Sequence, residues 1–173
     1  MDLNSKLQAR AGLYENIRQY FSAQGLTEVF TPQLSFAGNP DPAIQSFVTD
    51  QRRSAGYKAE GPMYLQTSPE FFMKRLLVEG SGSIFQICSA FRQGEKGRFH
   101  NPEFAMLEWY RVGFNYLDLM TDVEAMIRSV TSLMPGIEKL SYAELFEPFN
   151  LNPHTDTLDK IKSVATQNGM DVQ

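Results

Sequence analysis

The sequence is poor in the residues that build special sites. Cys88 is the one cysteine in 173 residues, so no internal disulfide can brace the chain. It lies inside an apolar run and reads as a reduced, packed thiol. Two histidines, His100 and His154, stand far apart, which excludes a Cys/His zinc cluster and leaves no metal site to predict. Positive charge is not in excess: 16 Lys and Arg face 20 Asp and Glu, for a net charge of −4. Nothing global therefore points to wrapping nucleic acid. No apolar run approaches the roughly 20 residues of a membrane span. The opening M-D-L-N-S-K-L-Q-A-R lacks the charged-then-apolar layout of a secretory signal. A cytoplasmic protein without membrane contact is the expectation. Repeats and low-complexity segments are absent. What is present is ordinary for a globular domain: 42% apolar and 21% charged residues in a chain long enough for one domain with a core.

Periodicity divides the chain. Leu7, Ala11, Tyr14, Ile17 and Phe21 keep helical spacing, which predicts a helix over Leu3 to Gln24 closed by Gly25. A short β-type run, L-T-E-V-F-T, stops at Pro32. Phe36 to Gly61 is punctuated by Gly38, Pro40, Pro42 and Gly56 and reads as irregular, with Ile44, Phe47 and Val48 as a possible short strand. Met63 to Thr67 reads as a strand. T-S-P-E then opens a helix through Glu79. Ser68 is one candidate N-cap, with Pro69 at the first helical position, and Thr67 with Glu70 as a capping box is the competing reading. Lys74 and Arg75 read as solvent-facing or paired with acids. After a turn at Gly80 to Ser83, Ile84 to Phe91 reads as a buried strand. Helices are predicted over Leu117 to Leu133, ended by Pro135 and Gly136, over Ser141 to Phe146 with a Ser141/Glu144 box, and over Thr157 to Asn168 closed by Gly169.

The most informative stretch is Phe91 to Tyr110, F-R-Q-G-E-K-G-R-F-H-N-P-E-F-A-M-L-E-W-Y. It begins at a strand end and passes through a polar loop holding Gly94 and Gly97. It ends in alternation, with Phe104, Met106, Glu108 and Tyr110 on one parity and Ala105, Leu107 and Trp109 on the other. Strand, loop, strand predicts an antiparallel hairpin. An aromatic, a thioether, a carboxylate and a phenol on one face suit the floor of a ligand pocket. The cations of the loop, Arg92, Lys96, Arg98 and His100, suit phosphate, and Phe104 suits a flat base. By periodicity alone Glu108 could equally be a salt-bridged sheet residue and Tyr110 a packed core aromatic.

F-H-N-P-E-F-A-M-L-E-W-Y resembles motif 2 of the class II aminoacyl-tRNA synthetases in their lysine-specific branch. The preceding G-E-K-G-R is closer to lysyl-tRNA synthetase paralogues that modify elongation factor P. The helix, Gly, strand, Pro layout at the N-terminus resembles motif 1, which in that family builds the dimer interface. The resemblance covers nearly the whole chain and weakens after Asp122. It implies an α+β fold, an antiparallel sheet flanked by helices. It implies ATP-dependent activation of lysine or (R)-β-lysine as an adenylate, with transfer to a lysine of elongation factor P. Alternatives are a lysyl-tRNA synthetase-like enzyme and a non-catalytic regulator that binds an amino acid. ATP and Mg2+ are the implied cofactors, with the metal ligands expected beyond this chain. Elongation factor P, lysine or β-lysine and a second copy of the chain are the implied partners, with tRNA binding not expected.

The resemblance also assigns residues. Arg92 would hold the α-phosphate as the catalytic cation, Arg98 and His100 the outer phosphates, Asn101 the adenine edge, and Phe104 the adenine face. Ser68, Pro69 and Glu70, with Glu108 and Tyr110, would bind the amino-acid substrate. For Glu70 helix capping remains the alternative. One departure concerns Arg92-Gln93-Gly94-Glu95. The family pattern has Glu where Gly94 stands, and either Glu95 or a backbone group must replace that acceptor. Nothing between Asp122 and Gln173 resembles motif 3. Residues 1–173 are therefore expected to be the N-terminal part of one catalytic domain, truncated before motif 3, without an anticodon-binding domain and inactive alone.

Overall fold

The structure, a computed structural model, describes residues 2–49, 61–131 and 136–170. Gly56, Leu133 and Pro135, used above as punctuation and a helix end, lie outside the described residues. The chain divides into two compact units, Met1–Ser132 and Leu133–Gln173. Among the described residues no helix is long and apolar enough to cross a membrane.

The first unit opens with α1 (Leu3–Ala23), capped by Asp2, whose carboxylate accepts from the Ser5 amide at 2.9 Å. Of the predicted apolar face, Ile17 and Phe21 are buried and Tyr14 partly so, while Leu7 and Ala11 are exposed, as are Leu3 and Leu13 beside them. The helix rests on the core only through its last turns. Gly25 follows at φ +76°, a left-handed conformation that ends the helix and turns the chain into the first strand.

That strand, β1 (Thr27–Glu28), runs parallel to β5 (Ile84–Phe91), with Thr27 opposite Ile84. β6 (Glu103–Tyr110) pairs antiparallel with β5, from Ile84 opposite Tyr110 to Phe91 opposite Glu103, so the sheet order is β1-β5-β6. The predicted hairpin forms with its parity intact. The sheet is mixed rather than wholly antiparallel, because the long connection from β1 to β5 returns the chain in the same direction. β4 (Met63–Leu65), within the strand expected over Met63 to Thr67, belongs to a second antiparallel sheet, between β2 (Leu34–Ser35) and β3 (Val48–Thr49). The two sheets are stitched where the Phe91 amide donates to the Gln66 carbonyl at 2.9 Å.

The core joins Ile17 and Phe21 of α1 to Leu26 and Phe85, with Leu107 and Trp109 of β6 and Met126 of α3 (Tyr116–Val130) packed against them. Phe21 stacks on Phe85 at 4.9 Å between ring centres. Each buried aromatic of this kind contributes about 1.5–3 kcal/mol over an exposed one. Asn115 and Asp118 close a capping box at the start of α3, and the helix ends at Thr131. Inside it, Asp122 accepts from Tyr20, Trp109 and Arg111, a knot that ties α3 to α1 and β6.

The predicted cap of α2 (Glu70–Val78) is corrected. Pro69 occupies the N-cap position and no side chain caps the helix. The Thr67 hydroxyl instead accepts from the Asn39 amide at 2.7 Å, and the Glu70 carboxylate turns forward to Lys74 at 2.6 Å. Ser68 is thereby left facing a cleft.

In the second unit the Ser141/Glu144 box closes, at 2.6 Å and 3.2 Å, but encloses a turn rather than a helix. A single 3-10 turn, Glu147–Phe149, follows. Pro148 cannot donate, and Asn150 at φ +53° ends the run. α4 (Leu158–Gln167) forms as expected, capped by Thr157.

Candidate active site

The register of β5 and β6 determines what lies on the outer face of the sheet. Directly opposite one another are Ile84 and Tyr110, Gln86 and Glu108, Cys88 and Met106, and Ala90 and Phe104. The other face carries Leu107 and Trp109 into the core. Above the outer face opens a cleft of about 670 Å³. Its floor includes Met106 and Glu108, one wall is Thr67, Ser68, Glu70 and Phe71, and Arg92 lies at its edge. The loop after β2 supplies Asn39, Asp41 and Ile44. These loop residues were missed in the sequence, since irregular segments carry no period that says which side chain turns inward. The Asn39–Thr67 hydrogen bond brings that loop over the cleft.

Arg92 is the pivot. Its guanidinium lies 5.2 Å from the centre of the Phe104 ring, donates to the Thr67 carbonyl at 3.4 Å and pairs with Glu95 at 3.6 Å. Its backbone amide is held by the Pro102 carbonyl at 2.9 Å, and Gln93 by Gln45 at 2.8 Å. The Phe104 face is thus covered by a cation, and a base that stacks there must displace it. Gly94 takes φ +87°, and a Cβ built there meets nothing within 4 Å. The backbone conformation, not space, selects glycine at this position. Glu95 is the acidic residue that reaches Arg92.

At the other end Tyr110 donates to Oε1 of Glu108 at 2.8 Å. Burial raises the Glu108 carboxyl above its ordinary range, and nearby Glu70 adds to this, while the Tyr110 bond and Lys74 oppose it. Burial and the Glu108 carboxylate likewise raise the Tyr110 phenol. Carboxylates at one end and a guanidinium at the other make the cleft complementary to a molecule that carries amines and an anionic group.

The predicted residues fall into two sets. Ser68, Glu70, Arg92 and Glu108 line one cleft; Phe104 lies under Arg92 and Tyr110 beside Glu108. Pro69 is buried behind Ser68. Arg98, His100 and Asn101 are exposed in the hairpin loop and line no part of the cleft; Arg98 stacks on exposed Phe99 at 5.0 Å. Among the described residues no cluster of three or more His, Cys, Asp or Glu could hold a metal ion.

The model of the tRNA synthetases class II (D, K and N) matches residues 1–172, and the chain belongs to that family. Within it, the chain is 42% identical over 167 residues to elongation factor P–(R)-β-lysine ligase of Vibrio atlanticus, covering 95% of this chain and 51% of the relative. It is 43% identical over 164 residues to the protein of the same name in Pseudoalteromonas translucida, covering 94% and 50%. With that of Baumannia cicadellinicola it shares 42% identity over 160 residues, covering 91% and 49%. The chain spans about half the length of these curated relatives.

Proposed function

We propose that the chain is the N-terminal part of an ATP-dependent ligase. It activates (R)-β-lysine or lysine as an adenylate and passes the acyl group to a lysine of elongation factor P. The observation that carries this reading is one cleft lined by both Arg92 and the carboxylates Glu70 and Glu108. In the reaction a substrate carboxylate attacks the α-phosphorus of ATP, and pyrophosphate leaves. The protein's tasks are to neutralise phosphate charge and to hold the reactants in line. Arg92 has the bidentate fork for the α-phosphate, and moving onto phosphate would lift it from Phe104 and free the ring for adenine. Glu70, Glu108 and Tyr110 would take the substrate amines, with Ser68 beside them.

Gln93, Gly94 and Glu95 form the turn behind the phosphates, and Arg98, His100 and Asn101 would fold inward when nucleotide binds. ATP suits Arg92 and Phe104. Mg2+ finds no carboxylate cluster among the described residues, so its ligands are assigned to the rest of a relative-length protein. The protein would act in the cytoplasm as a homodimer. The exposed Leu3, Leu7 and Leu13 of α1 and exposed Phe30 support an interface there.

The test is lysine-dependent ATP–pyrophosphate exchange by the relative-length protein, with Arg92→Ala beside it. Loss of a preorganised charge-assisted donor predicts a fall of about 10²–10³-fold or more. Exchange within about tenfold of the parent would remove Arg92 from the reaction. No exchange at all in the parent would favour a regulatory binding protein, the reading that Gly94 supports. Label appearing on tRNA rather than on elongation factor P would make it a lysyl-tRNA synthetase.

A further inference from the structure

Beneath the cleft lies a polar side chain whose hydrogen-bonding capacity the fold leaves largely unused. Gln86 is wholly buried, and among the described residues neither its Nε2 nor its Oε1 has an oxygen or nitrogen partner; a polar neighbour is the thiol of Cys88, which it shares with Gln66 and which is a weak acceptor. A strand interior seldom carries a carboxamide in that condition, because both ends are removed from water without compensation. Leucine or methionine would fill the volume more cheaply. Gln86 stands directly across the β5–β6 ladder from Glu108, on the same face. At such positions the Cβ atoms lie about 4.5–5.5 Å apart, within reach of a carboxamide and a carboxylate. Gln66 is buried nearby. It donates from Nε2 to the Ser89 carbonyl at 2.9 Å, and its Oε1 is likewise without a partner.

Glu108 needs what Gln86 can offer. Tyr110 donates to its Oε1, which leaves Oε2 for a second donor. To hold a substrate ammonium the carboxylate must be ionised in a half-buried place. Around it stand Tyr110 on its own strand, Cys88 on β5, Glu70 and Lys74 on α2, and Arg92 at the edge of the cleft. A cationic donor beneath Glu108 would neutralise it and compete with the substrate. A neutral N–H supports the charge without cancelling it.

We propose that Gln86 is a positioning residue for Glu108: its Nε2–H donates to Oε2 of the ionised carboxylate and fixes the plane in which a substrate amine is read. Gln66 Oε1 can accept the second N–H of the same amide. Because Gln86 lies under the floor rather than in the lining, it acts through Glu108 and not on the substrate.

The inference rests on the amine-binding reading of the cleft, and its test separates the two. In the full 173-residue chain, the side-chain NH2 resonances of Gln86 are followed against pH by NMR, with the Glu108 carboxyl carbon as the second probe. The expected result is that the Gln86 resonances move with the Glu108 midpoint and stop moving in Glu108→Gln. In Gln86→Met, which keeps volume and removes both donors, the Glu108 midpoint should rise by about one unit and lysine affinity fall about tenfold. The melting temperature should not fall. Gln86 resonances indifferent to Glu108 ionisation, or an unmoved midpoint in Gln86→Met, would overturn the proposal. If Gln86→Met does not fold, the parent resonances decide. If lysine does not bind the relative-length parent, the amine reading fails, and the two titrations still decide the link between Gln86 and Glu108.

Discussion

Two carboxylates withdrawn from water sit within a few turns of chain and are treated in opposite ways. Asp122 is surrounded by donors: the Tyr20 hydroxyl at 2.8 Å, the Trp109 indole at 3.0 Å, and Arg111 Nε and Nη2 at 2.8 and 2.6 Å. Glu108 has the Tyr110 hydroxyl. Burial raises both groups. At Asp122 the Arg111 and Tyr20 bonds outweigh it and hold the carboxyl below its usual range; at Glu108 burial prevails. The first arrangement is complete without a ligand and serves the fold. The second has unspent capacity for a cation and serves the cleft. Both depend on β6, whose core face brings Trp109 to Asp122 and whose outer face brings Tyr110 to Glu108. One strand therefore separates stability from chemistry by the alternation of its side chains.

The largest effect should come from breaking the complete cluster. Asp122→Ala leaves Arg111 as an unpaired charge whose side chain is 6% exposed, and strips the acceptor from Tyr20 and Trp109. We expect a loss of about 3–5 kcal/mol in urea unfolding. The double variant Arg111→Met with Asp122→Leu should recover most of it, since a buried pair is far cheaper to replace than to halve. A loss under about 1 kcal/mol for Asp122→Ala would mean the cluster is solvated and its charges screened.

Next comes Glu108→Gln. Lysine binding by calorimetry should weaken by about 2–4 kcal/mol, the range for removing one charge of a desolvated pair. Stability should stay level or rise, because a half-buried carboxylate at neutral pH is a burden on the fold. Equal losses of binding and of stability would erase the distinction between the two clusters.

The pH dependence gives the same contrast with signs. Asp122 is lowered from 3.8 in the folded state, so its contribution is present above that value and disappears as pH falls through the folded one. Glu108 is raised from 4.5, so its contribution is present below 4.5 and disappears as pH rises through the folded value. Tyr20, pushed up to about 12 by burial and by its bond to Asp122, contributes stability that is lost as pH climbs from 10 through that value. Denaturant midpoints should therefore fall less as pH rises above 4.5 in Glu108→Gln than in the parent. Parallel curves for the two proteins would contradict the raised carboxyl.

The smallest effect belongs to the loop. Gly94→Ala is sterically open but strained at φ +87°, and should cost about 1 kcal/mol. An unchanged melting temperature would show that the turn relaxes freely.

Much of this was legible in the residues. The strands of the hairpin, their parity, the helices at both ends of the chain and the set Ser68, Glu70, Arg92 and Glu108 follow from local spacing and from the family motif. Neither of the two competing caps at Ser68 and at Thr67/Glu70 forms, because propensity weighs one residue only against its neighbours. Here Asn39, far away in the chain, claimed the Thr67 hydroxyl and Lys74 claimed Glu70. The helix expected over Ser141 to Phe146 is a turn although its capping box closes, and Pro148 just beyond it cannot donate to extend it.

By itself the sequence determined period, punctuation and chemistry: which residues share a face, where chains must turn, and which groups can carry charge. These are properties of neighbours along the backbone, set by sterics and hydrogen bonding within a few residues. Tertiary structure alone decided which strands share a sheet, that Arg92 covers Phe104, that Gln86 is buried across the ladder from Glu108, and which carboxylate is saturated with donors and which is not. Those depend on register and burial between segments distant in the chain, where desolvation and the number of available donors set the energy of a charge, and no local pattern encodes either.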